Sequence, residues 1–201
     1  MGVTLWIVPS EQDIKRLRRI MDLRPADSQV KSSASYPKFD PHITLAALPP
    51  DANIPLSKLK ESIPTALPAL EIQFNSVDTG SHFFRSVYIA VRLSPELSEL
   101  HSKVHAALGV DPRTPSFPHI SLCYITDEDA ANGERERFRQ TLVDSGKLRS
   151  NSDGTVSLNC AEAGEEDDWM TGFTSPEIWI TTCDGPVEGW IVDDKVPLVF
   201  S

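Results

Sequence analysis

The sequence predicts an α+β chain with mainly antiparallel sheet, arranged as two similar lobes. Short runs rich in β-branched and aromatic residues alternate with amphipathic stretches in each half, and hairpin-like pairs of runs lie between them. In addition, "FDPHITLAAL" (Phe39 to Leu48) is echoed by "SFPHISLCYI" (Ser116 to Ile125). Both copies read Pro-His-Ile, a hydroxyl residue, then Leu, and their histidines are 119 − 42 = 77 residues apart.

The elements follow in order. "TLWIVP" is a strand stopped by Pro9, and "SEQDIKRLRRIM" is a helix capped by Ser10, with Ile14, Leu17 and Met21 at helical spacing. "PADSQVKSSASYPKF" is polar and Pro-punctuated, so it reads as a flexible surface loop, long enough to cover a site beside it. "LSKLKESIPTAL" reads as a second helix, and "EIQFNSVDTG" and "HFFRSVYIAVRL" as two strands joined through a turn at Gly80. The clearest helix is "SPELSELHSKVHAALG". Ser94 caps it, Pro95 takes the first position, Leu97, Leu100, Val104 and Leu108 form one face, and Gly109 ends it. "VDPRTPSFP" is a loop leading into the second histidine strand. "DEDAANGERERFRQTLV" reads as one charged helix weakened by Gly133, and three strands follow around "TVSLNCA", "EIWITTC" and "GWIVDD". The acidic runs "DEDAANGERER" and "EAGEEDDW" read as solvated surface.

A chain of 201 residues that is 40% apolar fits one domain or a compact two-lobed unit with a sizeable core. A net charge of −10 argues against a protein that grips long nucleic acid, which needs many Lys and Arg on phosphates. No apolar run reaches 18 residues and the start lacks a signal-peptide pattern, so a soluble intracellular protein is expected. Trp6 stands where N-myristoylation wants Ser or Thr. Cys123, Cys160 and Cys183 are too few and too far apart for a disulfide framework or a CxxC metal knot, and are expected to be reduced.

The chemistry lies in the repeated motif. Residues two apart share a strand face, so His42 and Thr44 point one way while Ile43 and Leu45 point into the core, and likewise His119 and Ser121 against Ile120 and Leu122. A single such triplet is common by chance, but two copies with the same flanks are not. Across an approximate two-fold axis the pairs would meet in a groove. Two imidazoles that titrate near neutral pH and two hydroxyl donors suit attack of water on a phosphoryl group without a metal.

On these residues the chain resembles the 2H phosphoesterase superfamily, and within it the plant and fungal cyclic phosphodiesterases. The likeness extends to "LWIVP", "VDTGSHFFRSVYIAV" and a closing "DGPVEGWIV" of fungal type, in the same order over most of the chain. The resemblance implies one LigT-like bilobal domain over 1–201, with two antiparallel sheets facing a central groove and helices outside. It implies metal-free hydrolysis of 2′,3′-cyclic nucleotides to nucleoside 2′-phosphates and of ADP-ribose 1″,2″-cyclic phosphate to ADP-ribose 1″-phosphate, downstream of tRNA splicing. No cofactor is expected, and the partner is a small cyclic phosphate bound by a monomer in the cytoplasm or in association with the Golgi. His42 and His119 become the catalytic pair, with His119 as base and His42 as acid, and Thr44 and Ser121 hold the phosphate. Tyr124 matches a family position near the phosphate, although strand parity points it away from His119 and Ser121 unless the strand ends or bulges. Phe84 matches an aromatic on which a base could stack, with His82 at the same parity. An RNA-directed 2H branch and a non-catalytic nucleotide-binding module are the alternatives.

Three residues or pairs stay outside the expected site. Trp6 and Trp190 read as core aromatics as readily as ligands. His101 and His105 have metal-ligand spacing, but Ser102 stands where a zinc protease has Glu and no third ligand is evident, so they read as helix-surface residues. His82 has no motif.

Overall fold

The computed structural model describes residues 2–64, 66–67, 70–114 and 117–198. Thr65 of the expected second helix, and Pro115 and Ser116 of the loop before the second motif, lie outside them. In chain order the elements are β1 (Val3–Val8), α1 (Glu11–Met21), β2 (Ile43–Ala47), α2 (Leu56–Glu61), β3 (Leu70–His82), β4 (Arg85–Val91), α3 (Pro95–Leu108), β5 (His119–Cys123), α4 (Asp127–Ala131) and α5 (Glu134–Asp144). Six strands follow: β6 (Leu148–Ser150), β7 (Val156–Asn159), β8 (Trp169–Met170), β9 (Gly172–Ser175), β10 (Glu177–Thr182) and β11 (Ile191–Pro197).

Eight strands form an antiparallel sheet in the order β11-β10-β1-β2-β5-β4-β3-β9, and β6-β7-β8 form a smaller one. The large sheet is two four-stranded halves joined at its centre by one registered pair, Ile43 with Ile120. These residues occupy the same place in the two motifs, so the pseudo-two-fold axis of the halves runs between them. In antiparallel register about that pair, His42 comes beside Ser121 and Thr44 beside His119. The order within each half repeats too, with β1 beside β2 as β4 is beside β5.

The helices pack behind this sheet. In α1 the Ser10 hydroxyl accepts the Asp13 amide at 3.2 Å, and Ile14, Leu17, Ile20 and Met21 are buried. In α3 the Ser94 hydroxyl accepts the Leu97 amide, and Gly109 ends the helix at φ 66°, a left-handed conformation that glycine adopts without a Cβ penalty. Ile43, Leu45, Ile120 and Leu122 join Leu17, Leu100, Val104 and Phe138 in the main core, which anchors both motif strands from behind.

The structure corrects several expectations. Gly80 lies inside β3; the turn is Phe83–Phe84, so Phe84 does not share strand parity with His82. A Cβ on Gly80 would sit 2.1 Å from the Arg85 carbonyl oxygen, so the glycine is needed for close approach at a ladder irregularity. The second helix ends at Glu61. The charged helix is two, α4 and α5, separated where Gly133 adopts φ 83°. The short strands β6, β8 and β9 have too few residues for a period-2 pattern to register.

The acidic runs are not simply solvated. Asp129 and Glu134 are 1% exposed, and they hold the segment expected to be a flexible cover. The Asp129 carboxylate accepts from the Lys31 amide at 2.8 Å, the Ser32 amide at 3.2 Å and the Ser35 hydroxyl at 2.6 Å. Glu134 accepts from the Ser28 hydroxyl at 2.6 Å and the Tyr36 hydroxyl at 2.9 Å. Burial works against the Asp129 charge, but the donors from Ser35, Lys31 and Ser32 outweigh it and hold its pKa below the usual value. In the second run Asp168 takes two bonds from Arg16, at 3.0 and 2.5 Å. Replacing Asp129 strands four donors, the Thr126 hydroxyl at 3.2 Å being the fourth, so Asp129→Ala is expected to cost on the order of 3 kcal/mol in urea unfolding. Cleavage between residues 24 and 39 under limited proteolysis should appear in that variant and not in the wild type.

Candidate functional site

Both motif strands carry the same irregularity. In the β1–β2 ladder Leu5 pairs with Ala46 and Trp6 with Thr44, which leaves Leu45 as an extra residue. In the β4–β5 ladder Val87 pairs with Cys123 and Tyr88 with Ser121, which leaves Leu122 extra. Each bulge falls one residue after the motif hydroxyl and reverses the parity beyond it. Hence His42, Thr44 and Ala47 line one groove with His119, Ser121 and Tyr124. Ala47 and Tyr124 are again 77 apart. The parity conflict at Tyr124 is thereby resolved: β5 bulges at Leu122 and ends at Cys123, so Tyr124 turns back to the groove.

The groove encloses a cavity of about 420 Å³. His42, 7% exposed, is held on two sides. Its Nδ1–H donates to the Asp40 carbonyl at 2.7 Å, since a carbonyl can only accept, and the Trp6 indole stacks on the ring at 3.8 Å with the planes 9° apart. In the neutral ring this leaves the lone pair on Nε2. Burial above all, and in smaller measure the charge of His119, lower the His42 pKa from 6.5 to about 4, against the raising effect of the Asp40 carbonyl. His119 is half-buried, with Tyr88 edge-on at 5.5 Å. Trp6 lies opposite Thr44 and Tyr88 opposite Ser121, so each half supplies an aromatic to its own histidine from the neighbouring strand.

The hydroxyls differ in their commitments. Thr44 is half-buried, whereas Ser121 is buried and donates to the Phe84 carbonyl at 2.7 Å. Burial pushes the pKa of the Tyr124 hydroxyl up, so it stays protonated. Tyr124 is fixed further by the Phe39 ring, stacked at 4.0 Å, and by its own carbonyl, which accepts the Tyr36 amide at 2.7 Å. Phe84 reaches the groove from the turn, its ring 5.4 Å from Tyr124 and 6.0 Å from Trp190.

Sequence reasoning left out part of this lining. Trp6, Trp190, His82, Arg85, Arg113 and Thr114 all face the cavity. A Trp inside the aliphatic run "LWIV" is the available signal for Trp6; His82 and Arg85 sit at strand ends flanking a turn and the others between elements, where no period marks them. His82 accepts the Phe84 amide at Nδ1 over 3.3 Å, so its neutral ring carries the proton on Nε2. His105 is 4% exposed, not a surface residue, and its Nδ1–H donates to the His101 carbonyl at 2.8 Å. His101 bonds the Thr114 hydroxyl through Nε2 at 2.9 Å. Among the described residues no group of three or more His, Cys, Asp or Glu is placed to hold a metal ion. None of their helices is long and apolar enough to cross a membrane.

Two halves that each deliver a His-x-Thr/Ser strand to one groove define a 2H phosphoesterase. The fold matches E. coli LigT complexed with 3′-AMP, with a TM-score of 0.53 at 14% identity over 98% of this chain and 96% of that one. A crystal structure of a phosphoesterase matches at a TM-score of 0.51 and 11% identity, over 98% and 97% of the two chains. The family model of cyclic phosphodiesterase-like proteins matches residues 1–198, and the chain belongs to that hydrolase family. Among curated relatives, the Arabidopsis thaliana cyclic phosphodiesterase is 28% identical over 139 residues, covering 67% of this chain and 72% of that protein. The Yarrowia lipolytica 2′,3′-cyclic-nucleotide 3′-phosphodiesterase is 22% identical over 232 residues, covering 96% and 97%.

Between about pH 6.5 and 4 the unfolded chain protonates at residue 42 while the folded one does not, so stability falls as the pH falls through that window. The loss attributable to His42 is expected to reach up to about 3 kcal/mol. His42→Gln should flatten this part of the curve of thermal midpoint against pH.

Proposed function

We propose that the chain opens 2′,3′-cyclic nucleotides with water to give nucleoside 2′-phosphates, and ADP-ribose 1″,2″-cyclic phosphate to give ADP-ribose 1″-phosphate. This is the chemistry that the resemblance implies downstream of tRNA splicing. The observation that supports it is the convergence of two imidazoles and two hydroxyls on one groove. That groove carries two guanidiniums and, among the described residues, no carboxylate, in a chain of net charge −10. Such a site selects an anion that the rest of the surface repels.

On this reading residues 1–201 act as one bilobal unit, and His42 and His119 form the catalytic pair. One imidazole takes a proton from water as the water oxygen bonds to phosphorus. The phosphorus–ribose oxygen bond then breaks, and the other ring, protonated beforehand, gives its proton to that oxygen. Thr44 meets the non-bridging oxygens directly. Ser121 does so by turning its proton away from the Phe84 carbonyl, with the protonated Tyr124 hydroxyl in the same groove. Phe84 is the stacking platform for the base.

The resemblance assigns His119 as base, but the electrostatics of the free protein favour the reverse. His42 is the ring held without its proton, its Nε2 lone pair is set by the Asp40 carbonyl, and it gains a proton only at about pH 4. We therefore assign His42 as base and His119 as acid.

Hydrolysis of a 2′,3′-cyclic nucleotide should persist in EDTA, and His42→Ala or His119→Ala should lower kcat/KM by about 10²- to 10⁴-fold. Undiminished turnover in either variant, or dependence on added metal, would end the proposal. With His42 as base, kcat/KM should rise through a limb near pH 4; a rising limb between pH 6 and 7 instead would return that role to His119. Phosphorus NMR identifies the product isomer and ranks the two substrates.

A further inference from the structure

The two histidines of α3 take no part in the proton transfers, yet they reach the groove from behind. Their ring centroids are 4.2 Å apart, and the His105 Nδ1–H donates to the His101 carbonyl at 2.8 Å. His101 bonds the Thr114 hydroxyl through Nε2 at 2.9 Å, and the Phe117 ring packs on the same imidazole at 4.3 Å. The Phe117 amide donates to the Thr114 carbonyl at 3.2 Å, so one helical side chain holds both residues. Thr114 and Phe117 line the groove together with His119 and Ser121.

Thr114 thus brings a further hydroxyl to the groove, on a loop instead of a motif strand. A threonine hydroxyl has one proton and two lone pairs, so a bond to an imidazole leaves it capacity for another. Burial above all, and the charge of His105, lower the His101 pKa, so the ring is neutral at neutral pH. With its proton on Nε2, the neutral ring donates to Thr114 Oγ1 and leaves the threonine proton for the groove. An anionic ligand favours that arrangement, because it needs donors and because a hydroxyl that accepts one hydrogen bond donates the next more strongly.

We propose that Thr114 is a substrate-binding residue that donates its hydroxyl to an oxygen of the bound phosphate ester, and that His101 is the positioning residue that holds it. The inference rests on the cyclic-phosphate reading above and adds to it a contact from outside the two motifs. The bond is made alike in the bound substrate and the transition state, so its loss acts through KM.

Thr114→Val keeps the side-chain shape and removes the hydroxyl. It should raise KM for a 2′,3′-cyclic nucleotide about three- to tenfold and leave kcat within about twofold, while Thr114→Ser keeps most of the wild-type value. His101→Ala should raise KM at least as much, and His101→Gln, whose amide can donate in place of Nε2–H, should recover part of that loss. The double variant His101→Ala/Thr114→Val should be no worse than His101→Ala, since both changes break one bond. An unchanged KM in Thr114→Val would overturn the proposal, and so would a loss confined to kcat. Losses that multiply in the double variant would overturn the role of His101. If the wild type hydrolyses no cyclic nucleotide, it is the functional reading that has failed. Calorimetry with a nucleoside 2′-monophosphate then decides the contact, weaker binding by Thr114→Val than by the wild type supporting it and equal or absent binding rejecting it.

Discussion

A one-residue slip in the hydrogen-bond ladder, at the same position in two strands, determines which side chains the groove contains. Without the extra residue at Leu45 and Leu122, strand parity would keep Tyr124 on the opposite face from Ser121 and replace it with Cys123. With it, a motif of imidazole and hydroxyl is followed by a third groove-facing position, Ala47 in one half and Tyr124 in the other. The bulged leucines stay buried in the main core, so the irregularity does not cost the strands their anchorage.

Around this frame the two halves have different occupants. His42 is enclosed by an indole and a backbone carbonyl, while His119 meets a phenol edge and is more open. Symmetry of backbone is thus combined with asymmetry of environment, and burial lowers the proton affinity of His42. The clasp formed by Asp129 and Glu134 belongs to the same arrangement. By fastening residues 28–36 it fixes Tyr36 and the segment that carries Phe39 and Asp40, and these in turn hold Tyr124 and His42.

Much of this was legible in the sequence, for identifiable reasons. The strands and the helices α1 and α3 carry strong periodicity and explicit caps, and the echo of Pro-His-Ile marked both catalytic candidates and the internal symmetry. Tyr124 was found by resemblance, whereas the bulge that turns it inward leaves no trace in a period-2 pattern. Asp129 and Glu134 were misread because burial of a carboxylate depends on donors 94 to 106 residues away, and a run of charges looks the same whether solvated or clasped. Gly80 was read as a turn because a glycine serving close backbone approach is indistinguishable, in one sequence, from a glycine serving a bend. Arg85 and Arg113 lie in a turn-flanking position and a loop, where side-chain direction is set by the fold alone.

The central pair, Ile43 with Ile120, joins equivalent positions of the two halves. A contact between a residue and its own counterpart is isologous, the type that two identical molecules make across a dimer axis. The groove is thus of a kind that a symmetric homodimer of half-length chains would build, with one imidazole from each subunit. In such a dimer both rings would share one environment and one proton affinity. Covalent linkage of the halves lifts that restriction, because Trp6 need not be matched by a second Trp, nor Tyr124 by a second Tyr.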